Sequence, residues 1–482
     1  MAEQSLKSKT AKGLFWGGLS NIAQQLLGLL FGIFLARILS IDDYGLIGML
    51  TIFISISNTI SESGFTAALT NRKEFRHEDY NAVFWFNIWV GIALYALLFF
   101  LSPFIADFFR RSELIDLSRI LFLSIVFGAF GTAHNAVLFK RMMVREKAKM
   151  DLSALVLSGI IGVVLALSGY GYWALALQSL SYSAVGTFLR WCFVPWRPTF
   201  HFDFRPVKEM FAFGVNLLLT NVFMQINGNL FSVLLGKFYN AVEVGYYTQG
   251  NKWMSMGYMS IGGMINSVAQ PLFTQINQER ERQVQVLRKM IRFTAFISCP
   301  LMLGLGFIGE ELIVIAVGDK WLPSVPILQL FCIWGMFLPI QFLYSQLAIA
   351  HEKSGFYLRS NVLVGIMQLV VACLMLRWGV LWMVFMHVVV NICVWFALWQ
   401  WYVWKLIGLR PFDALRDIAP YLGSTLLIFA GVYFVTLPIE NLWLSLVTKV
   451  ALSAALYVGL MYGLKSVILR DCIDFVLGKK RL

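Results

Sequence analysis

The sequence predicts an all-α integral membrane protein of about fourteen transmembrane helices, two six-helix lobes followed by a C-terminal helix pair. Three observations carry that prediction. Of 482 residues, 59% are hydrophobic and 13% charged, with a mean hydropathy of +0.72; a soluble domain carries about 25% charge. Apolar runs of bilayer length recur along the chain. Basic residues gather in every second connection between them.

A hydrocarbon core about 30 Å thick takes about 20 apolar residues per helix. Spans fall at 14–38, 45–69, 82–106, 117–139, 152–169 and 172–194. After a polar connection come 210–236, 246–273, 291–317, 326–350, 361–376 and 380–404, then a last pair at 419–438 and 442–464. Gly169-Tyr170-Gly171 and Arg377-Trp378-Gly379 mark two very tight hairpins. The first span is too long for a signal-peptide core and many more follow it, so it is expected to be retained.

The loops test this count. With Lys7, Lys9 and Lys12 in the cytoplasm, the inner connections carry Arg72, Lys73 and Arg76; Lys140, Arg141, Arg145, Lys147 and Lys149; and Arg190, Arg197, Arg205 and Lys208. They continue with Arg280, Arg282, Arg288, Lys289 and Arg292; Lys353 and Arg359; Lys405, Arg410 and Arg416; and the tail from Lys465. Outer connections such as 40–44 and 439–441 carry few or none, so both termini are expected inside. The net charge of +13 is then the mark of loops facing anionic lipid, and nucleic acid is excluded as a partner. Cys192, Cys299, Cys332, Cys373, Cys393 and Cys472 form no metal-ligand spacing and read as small apolar filler.

An internal repeat organises the halves. Leu35-Ala36-Arg37 stands against Leu235-Gly236-Lys237, Asp43 against Glu243 and Gly45 against Gly245. Each copy enters with the same orientation, which implies a pseudo-two-fold axis along the membrane normal. The expected division is an N-terminal lobe at 1–194, a cytoplasmic linker at 195–209 rich in Pro and Phe, a C-terminal lobe at 210–404, and helices 13 and 14 with a basic tail at 405–482. No phosphate loop of the G-x-x-x-x-G-K-[ST] kind occurs, nor H-E-x-x-H, G-x-S-x-G or D-x-D. Movement of a substrate would be driven by a gradient, and an enzyme is not expected.

Polar groups inside the hydrocarbon are the functional candidates, because a charge there costs about 2.5–3.5 kcal/mol on insertion scales. Glu62 and Lys252 lie within spans, and Lys449 lies in the last. Arg37 and Lys237 lie near helix ends, where snorkelling to the outer interface is the plainer role. Spans seven and eight are rich in amides: Asn216, Asn221, Gln225, Asn227 and Asn229, then Gln249, Asn251, Asn266 and Gln270; the first span adds Asn21, Gln24 and Gln25. Asn221, Gln225 and Asn229 share one helical face. Hydrogen bonds between helices account for part of this set; a hydrophilic lining for sugar hydroxyls, with Lys252 attracting phosphate, accounts for the rest. His134 and His387 are expected packed and neutral. Pro271, Pro300 and Pro339 are positioned to kink spans eight to ten.

Phe34-Leu35-Ala36-Arg37-Ile38-Leu39-Ser40 followed by Asp43-Tyr44-Gly45 resembles the opening signature of Wzx-type polysaccharide flippases, in the multidrug/oligosaccharidyl-lipid/polysaccharide exporter superfamily. Further matches are Glu62-Ser63-Gly64-Phe65-Thr66-Ala67-Ala68-Leu69 with Arg72-Lys73, Gly245-Tyr246-Tyr247 with Lys252, and Ser267-Val268-Ala269-Gln270-Pro271-Leu272-Phe273. Gly318-Asp319-Lys320-Trp321-Leu322-Pro323 with Val325-Pro326-Ile327-Leu328-Gln329 completes the set. The resemblance spans roughly residues 10–400.

It implies a transporter of the bacterial inner membrane with twelve core helices around a cationic cavity. Such a protein flips undecaprenyl-pyrophosphate-linked oligosaccharides outward by alternating access, coupled to H+ or Na+ and needing no other cofactor. Polysaccharide polymerase and chain-length machinery would be its partners besides membrane lipid. Lys252 with Arg37 would hold the pyrophosphate, Asn251, Gln249, Asn221, Gln225, Asn229 and Gln25 the sugars, and Glu62 the coupling ion. One departure stands out: relatives commonly carry an aspartate where this chain has Asn229. A drug or metabolite antiporter of the same superfamily fits the fold too, with a smaller, more apolar pocket. An oligosaccharide polymerase or ligase would call for a large outer loop, which is missing.

Overall fold

In hydrocarbon every backbone N–H and C=O must be satisfied within its own segment, and the described chain does so with helices. The computed structural model describes residues 2–62, 76–200, 205–351 and 354–476, with backbone alone at 2–15, 62, 205–217, 264, 266–268, 354, 472 and 475–476. Its helices are α1 (Ala2–Ile38), α2 (Ile41–Glu62), α3 (His77–Phe109), α4 (Leu114–Lys140), α5 (Val144–Leu167), α6 (Tyr172–Phe193), α7 (Arg205–Phe238) and α8 (Ala241–Gln275). There follow α9 (Arg280–Phe307), α10 (Gly309–Val317), α11 (Ser324–Gly335), α12 (Leu338–Ala350), α13 (Ser354–Met375), α14 (Val380–Ile407), α15 (Pro411–Thr436), α16 (Leu442–Gly463) and α17 (Val467–Val476).

Among the described residues twelve segments are long and apolar enough to cross a membrane, α11 and α12 counting as one. The 22-residue α6 and the 35-residue α8 have spanning length but a more polar composition, and with them the number is about fourteen. Large apolar side chains face outward, among them Phe100, Phe104, Leu427 and Phe434, each more than 70% exposed. Only lipid makes such a surface favourable.

The chain divides into two compact units, Met1–Gly245 and Tyr246–Leu482. In the first, α4 is the central helix. Leu117, Leu121, Ile125, Ala129 and Ala133 repeat every four residues and are at most 1% exposed, where α4 packs on α2, α3 and α6. At one end of the unit Phe84, Val137, Met150, Val194 and Trp196 form a sealed cluster. The α5–α6 hairpin turns through Gly169 and Gly171, both at positive φ, a conformation that costs glycine nothing. Residues 194–199 are non-helical, and Pro206 lies in the first turn of α7, so that proline opens a helix instead of breaking one.

The repeat has a structural meaning at its glycines. Ser40 and Asp43 form a capping box on α2: Ser40 N–H and Oγ donate to Asp43 Oδ2 at 2.8 and 2.7 Å, and Asp43 N–H donates to Ser40 Oγ at 3.1 Å. In the second copy Glu243 N–H donates to Asn240 Oδ1 at 2.9 Å, capping α8. The two capped ends touch. A Cβ on Gly45 would lie 1.8 Å from the Ala241 carbonyl oxygen, and one on Gly245 would lie 2.5 Å from that of Ile41. Glycine is required because backbone occupies the space. Nearby, Arg111 holds Asp42 with two hydrogen bonds of 2.9 and 2.6 Å, and that carboxylate raises the guanidinium's pKa further. Lys237 donates to the Phe108 carbonyl at 2.8 Å, at the C-terminal end of α3 where a cation is favoured.

In the second unit α9 is the core helix, with Leu287, Ile291, Ala295, Cys299 and Met302 no more than 1% exposed, packed on α11 and α15. It runs unbroken through Pro300, and α8 does so through Pro271. One expected span is corrected, and a second holds with a break inside it. The run at 291–317 is α9 ending at Phe307, a turn at Ile308 and the separate α10. The run at 326–350 breaks at 336–337 into α11 and α12, with Pro339 in the first turn of α12, where its missing donor costs nothing. The Gly318–Pro323 motif is a 3-10 turn in which Trp321 is wholly buried and its carbonyl accepts the Ser324 hydroxyl at 2.7 Å.

The C-terminal pair is tied to this unit by charge. Lys449 binds Glu311, which also accepts the Ser445 hydroxyl at 2.8 Å. Asp417, 3% exposed at its side chain, receives Arg288 at 2.7 and 3.0 Å and Arg292 at 2.6 Å. Lys289 pairs with Asp471 of α17 at 3.1 Å. Three cations counted above as loop charges are thus helical and paired, and Lys449 is neutralised.

Candidate functional site

The first unit holds a cavity of about 1100 Å³ among α1, α2, α4, α5, α6 and α7. Each wall helix contributes polar residues at helical spacing. Ser124, Gly128, Thr132 and Asn135 follow one stripe of α4; Lys147, Asp151 and Ser158 follow one of α5; Ser179, Ser183 and Arg190 follow one of α6. Thr51 and Asn58 line it from α2, Gln24 from α1 and Asn221 from α7. The cavity reaches the surface where Phe139 and Lys147 are exposed, at the end of the unit that carries Lys140, Arg141, Arg145 and Arg197.

The hydroxyls have a fixed polarity. Thr51 donates to the Ile47 carbonyl at 2.9 Å, Ser124 to Leu121 at 2.6 Å, Thr132 to Gly128 at 3.2 Å, and Ser183 to Ser124 at 2.9 Å. Each has used its proton on backbone and keeps lone pairs, so this wall accepts hydrogen bonds from hydroxylated matter. Asn135 Oδ1 is buried without a partner, a further acceptor. The charged group is different. Asp151 Oδ1 receives Arg190 Nη2 at 2.8 Å, and its Oδ2 receives Lys147 Nζ at 2.5 Å. Among the described lining residues, two cations and one anion leave a charge of plus one.

The residues expected at the site fall in several places. Asn221 lines the cavity. Gln25 is exposed on α1, beside the lining residue Gln24. Arg37 is exposed close to the end of α1. Gln225 and Asn229 are partly buried, and Asn229 Nδ2 turns back to the Gln225 carbonyl at 2.9 Å. In the second unit Gln249 is 2% exposed with its Oε1 unpartnered. Asn251 and Lys252 are partly buried there, and Lys252 has no carboxylate within ion-pair distance among the described residues. Glu62 is the last residue of α2; its side chain lies outside the described residues, as do residues 63–75 of the matched motif. His134 packs on Trp191 and Trp196 at 4.9 and 5.2 Å, and His387 on Trp334 at 5.5 Å; both are buried among rings, as expected.

Lys147, Asp151 and Arg190 were not singled out in the sequence. The charge-alternation rule absorbs Lys147 and Arg190 into loops, and Asp151 stands just before its expected span. The polar stripe of α4, four residues at helical spacing inside an apolar run, was a signal for them.

The comparisons bear on the whole chain. A family model described as a polysaccharide biosynthesis protein matches residues 34–326. The teichuronic acid biosynthesis protein TuaB of Bacillus subtilis (strain 168) is 25% identical over 375 residues, 74% of this chain and 75% of its own length. The lipopolysaccharide biosynthesis protein WzxC of Escherichia coli (strain K12) is 27% identical over 364 residues, 74% of this chain and 73% of its own. A solved structure of the lipid II flippase MurJ, in an inward closed conformation, superposes with a TM-score of 0.76 at 15% identity, covering 95% of this chain and 99% of that one. The fold is shared.

Proposed function

The chain belongs to the polysaccharide biosynthesis protein family, and from that premise we propose that it flips a lipid-linked oligosaccharide across the bacterial inner membrane. Flipping runs from the cytoplasmic to the outer leaflet by alternating access. The substrate class is an undecaprenyl-pyrophosphate-linked repeat unit of an O-antigen, capsule or exopolysaccharide. The names of TuaB and WzxC support the substrate class, and the observation that carries the reading is the polar cavity inside a bundle with an apolar exterior.

The physical problem explains why such a lining is needed. A hydroxyl or amide entering hydrocarbon without a partner costs roughly 2–7 kcal/mol, and a bare ion far more. A wall of acceptors offsets the first cost for each sugar hydroxyl. Cations offset the second, while the polyprenyl tail remains in lipid. A volume near 1100 Å³ is at the upper limit of small-molecule pockets, about 300–1,000 Å³, which favours an oligosaccharide over a drug-sized cargo. Lys252, with Arg37, attracts the pyrophosphate as a point charge, Gln25, Asn221, Gln225, Asn229, Gln249 and Asn251 contact sugars, and Glu62 carries the coupling proton or sodium ion. Polymerase and chain-length machinery act downstream.

Deleting the gene should leave the lipid-linked oligosaccharide on the inner leaflet, and the Lys252→Ala chain, expressed at normal level, should fail to restore export. Normal export without the gene would remove the function; normal export by Lys252→Ala would remove that lysine from it.

A further inference from the structure

Resting on that reading, we propose that Arg190 and Lys147 form a diphosphate-loading site in the cavity of the first unit, additional to Lys252 and Arg37, and that Asp151 is a resident counter-ion which the phosphate displaces. Among the described residues Asp151 is the one carboxylate lining the cavity, and each of its oxygens is occupied by a lining cation. An anion arriving from the exposed end meets Lys147 first, 45% exposed at its side chain, and then Arg190, 15% exposed.

The ion pair has the form of an exchangeable one. Two other arginine contacts in this protein are two-pronged: Arg111 reaches both oxygens of Asp42, and Arg288 both oxygens of Asp417. Arg190 gives Asp151 a single hydrogen bond, from Nη2, and its Nε is buried without an acceptor. A guanidinium has five N–H donors in a planar fork that matches phosphate oxygens in pairs. Glycines flank it: a Cβ on Gly131 or Gly186 would stand 3.4 Å from Nη1, at van der Waals contact. A guanidinium held by one hydrogen bond, with its Nε unused, next to a lysine at the mouth fits two phosphate groups better than one carboxylate.

The remaining lining fits the rest of such a ligand. The hydroxyls of Ser124, Thr132 and Ser183 are turned to their backbone acceptors and cannot also serve phosphate as donors; they suit sugar O–H groups. Donors and acceptors are therefore segregated, phosphate at the cations and sugar along α4 and α6.

Asp151 has a use beyond neutrality. Two cations open to a diphosphate in a low-dielectric wall would hold it too tightly for release on the other side, and transport needs binding weak enough to leave. A carboxylate that competes for the same two cations lowers the affinity and takes them back as the substrate departs.

The test titrates inorganic pyrophosphate into the purified full-length chain in nanodiscs, read by calorimetry. Asp151→Asn should bind pyrophosphate roughly tenfold more tightly than the wild type, the value of one charge-assisted hydrogen bond relieved of competition. Arg190→Gln should lose binding by a similar factor or more. The paired Asp151→Asn/Arg190→Gln chain, neutral at both positions, keeps the packing and should bind more weakly than Asp151→Asn by the same factor that separates Arg190→Gln from the wild type. Equal affinity in wild type, Asp151→Asn and Arg190→Gln, or no binding by Asp151→Asn, overturns the proposal. The broader reading fails separately: if the deletion strain exports normally while pyrophosphate binding follows the substitutions, the anion site stands and the flippase does not.

Discussion

At the scale of single residues, several charges inside this protein are neutralised in small groups, and their value lies in what would be left if one member were removed. Asp417 is the clearest case, since two arginines from α9 converge on it from different turns. Breaking a fully buried pair costs about 3–5 kcal/mol. Arg288 and Arg292 are 30% and 44% exposed at their side chains and recover part of that from water and headgroups. Asp417→Asn should therefore destabilise the protein by about 2–4 kcal/mol, read as a lower melting temperature in detergent, while Asp413→Asn should not. The pairing also shows why sequence alone misplaced these groups. A basic residue near a span end looks like a loop charge, and only the acidic partner, 125 and 129 positions away in the chain, reveals it as a helix joint.

At the scale of elements, hydropathy located nearly every helix and missed the places where a helix stops without becoming polar. Ile308 and the break at 336–337 lie inside apolar runs, so nothing in the mean hydropathy marks them. The hairpins at Gly169–Gly171 and Gly379 were legible because positive φ demands glycine and leaves it in the sequence. The site was half legible. Asn221 was found by its amide spacing, whereas the α4 stripe of Ser124, Thr132 and Asn135 hides in residues common in any membrane helix. The repeat glycines carry the strongest prediction at this scale. A side chain on Gly45 would meet the Ala241 backbone, which cannot rotate away. Gly45→Val and Gly245→Val should each cost more than the ~1–3 kcal/mol of ordinary overpacking, with loss of folded protein at 37 °C. Gly18→Ala, at a helical glycine with open space, should leave the melting temperature unchanged or raised.

At the scale of the whole molecule, the fold class was legible because a bilayer allows so few solutions, and the composition excluded the rest. The charge alternation yields the orientation, and it can be checked directly. Cysteines placed at the exposed Tyr170 and Trp378 in a cysteine-free background should react with an impermeant maleimide added outside intact cells; one at the exposed Arg410 should react only after the membrane is opened. Labelling of the reverse set would invert the topology. The charged joints of α15 and α16 have one more consequence. A chain cut after Ile407 would retain every helix of the repeat, yet it would leave Arg288, Arg292 and Glu311 without their partners. The terminal helices are therefore no detachable appendage: shortening the chain would oblige those three residues to change with it.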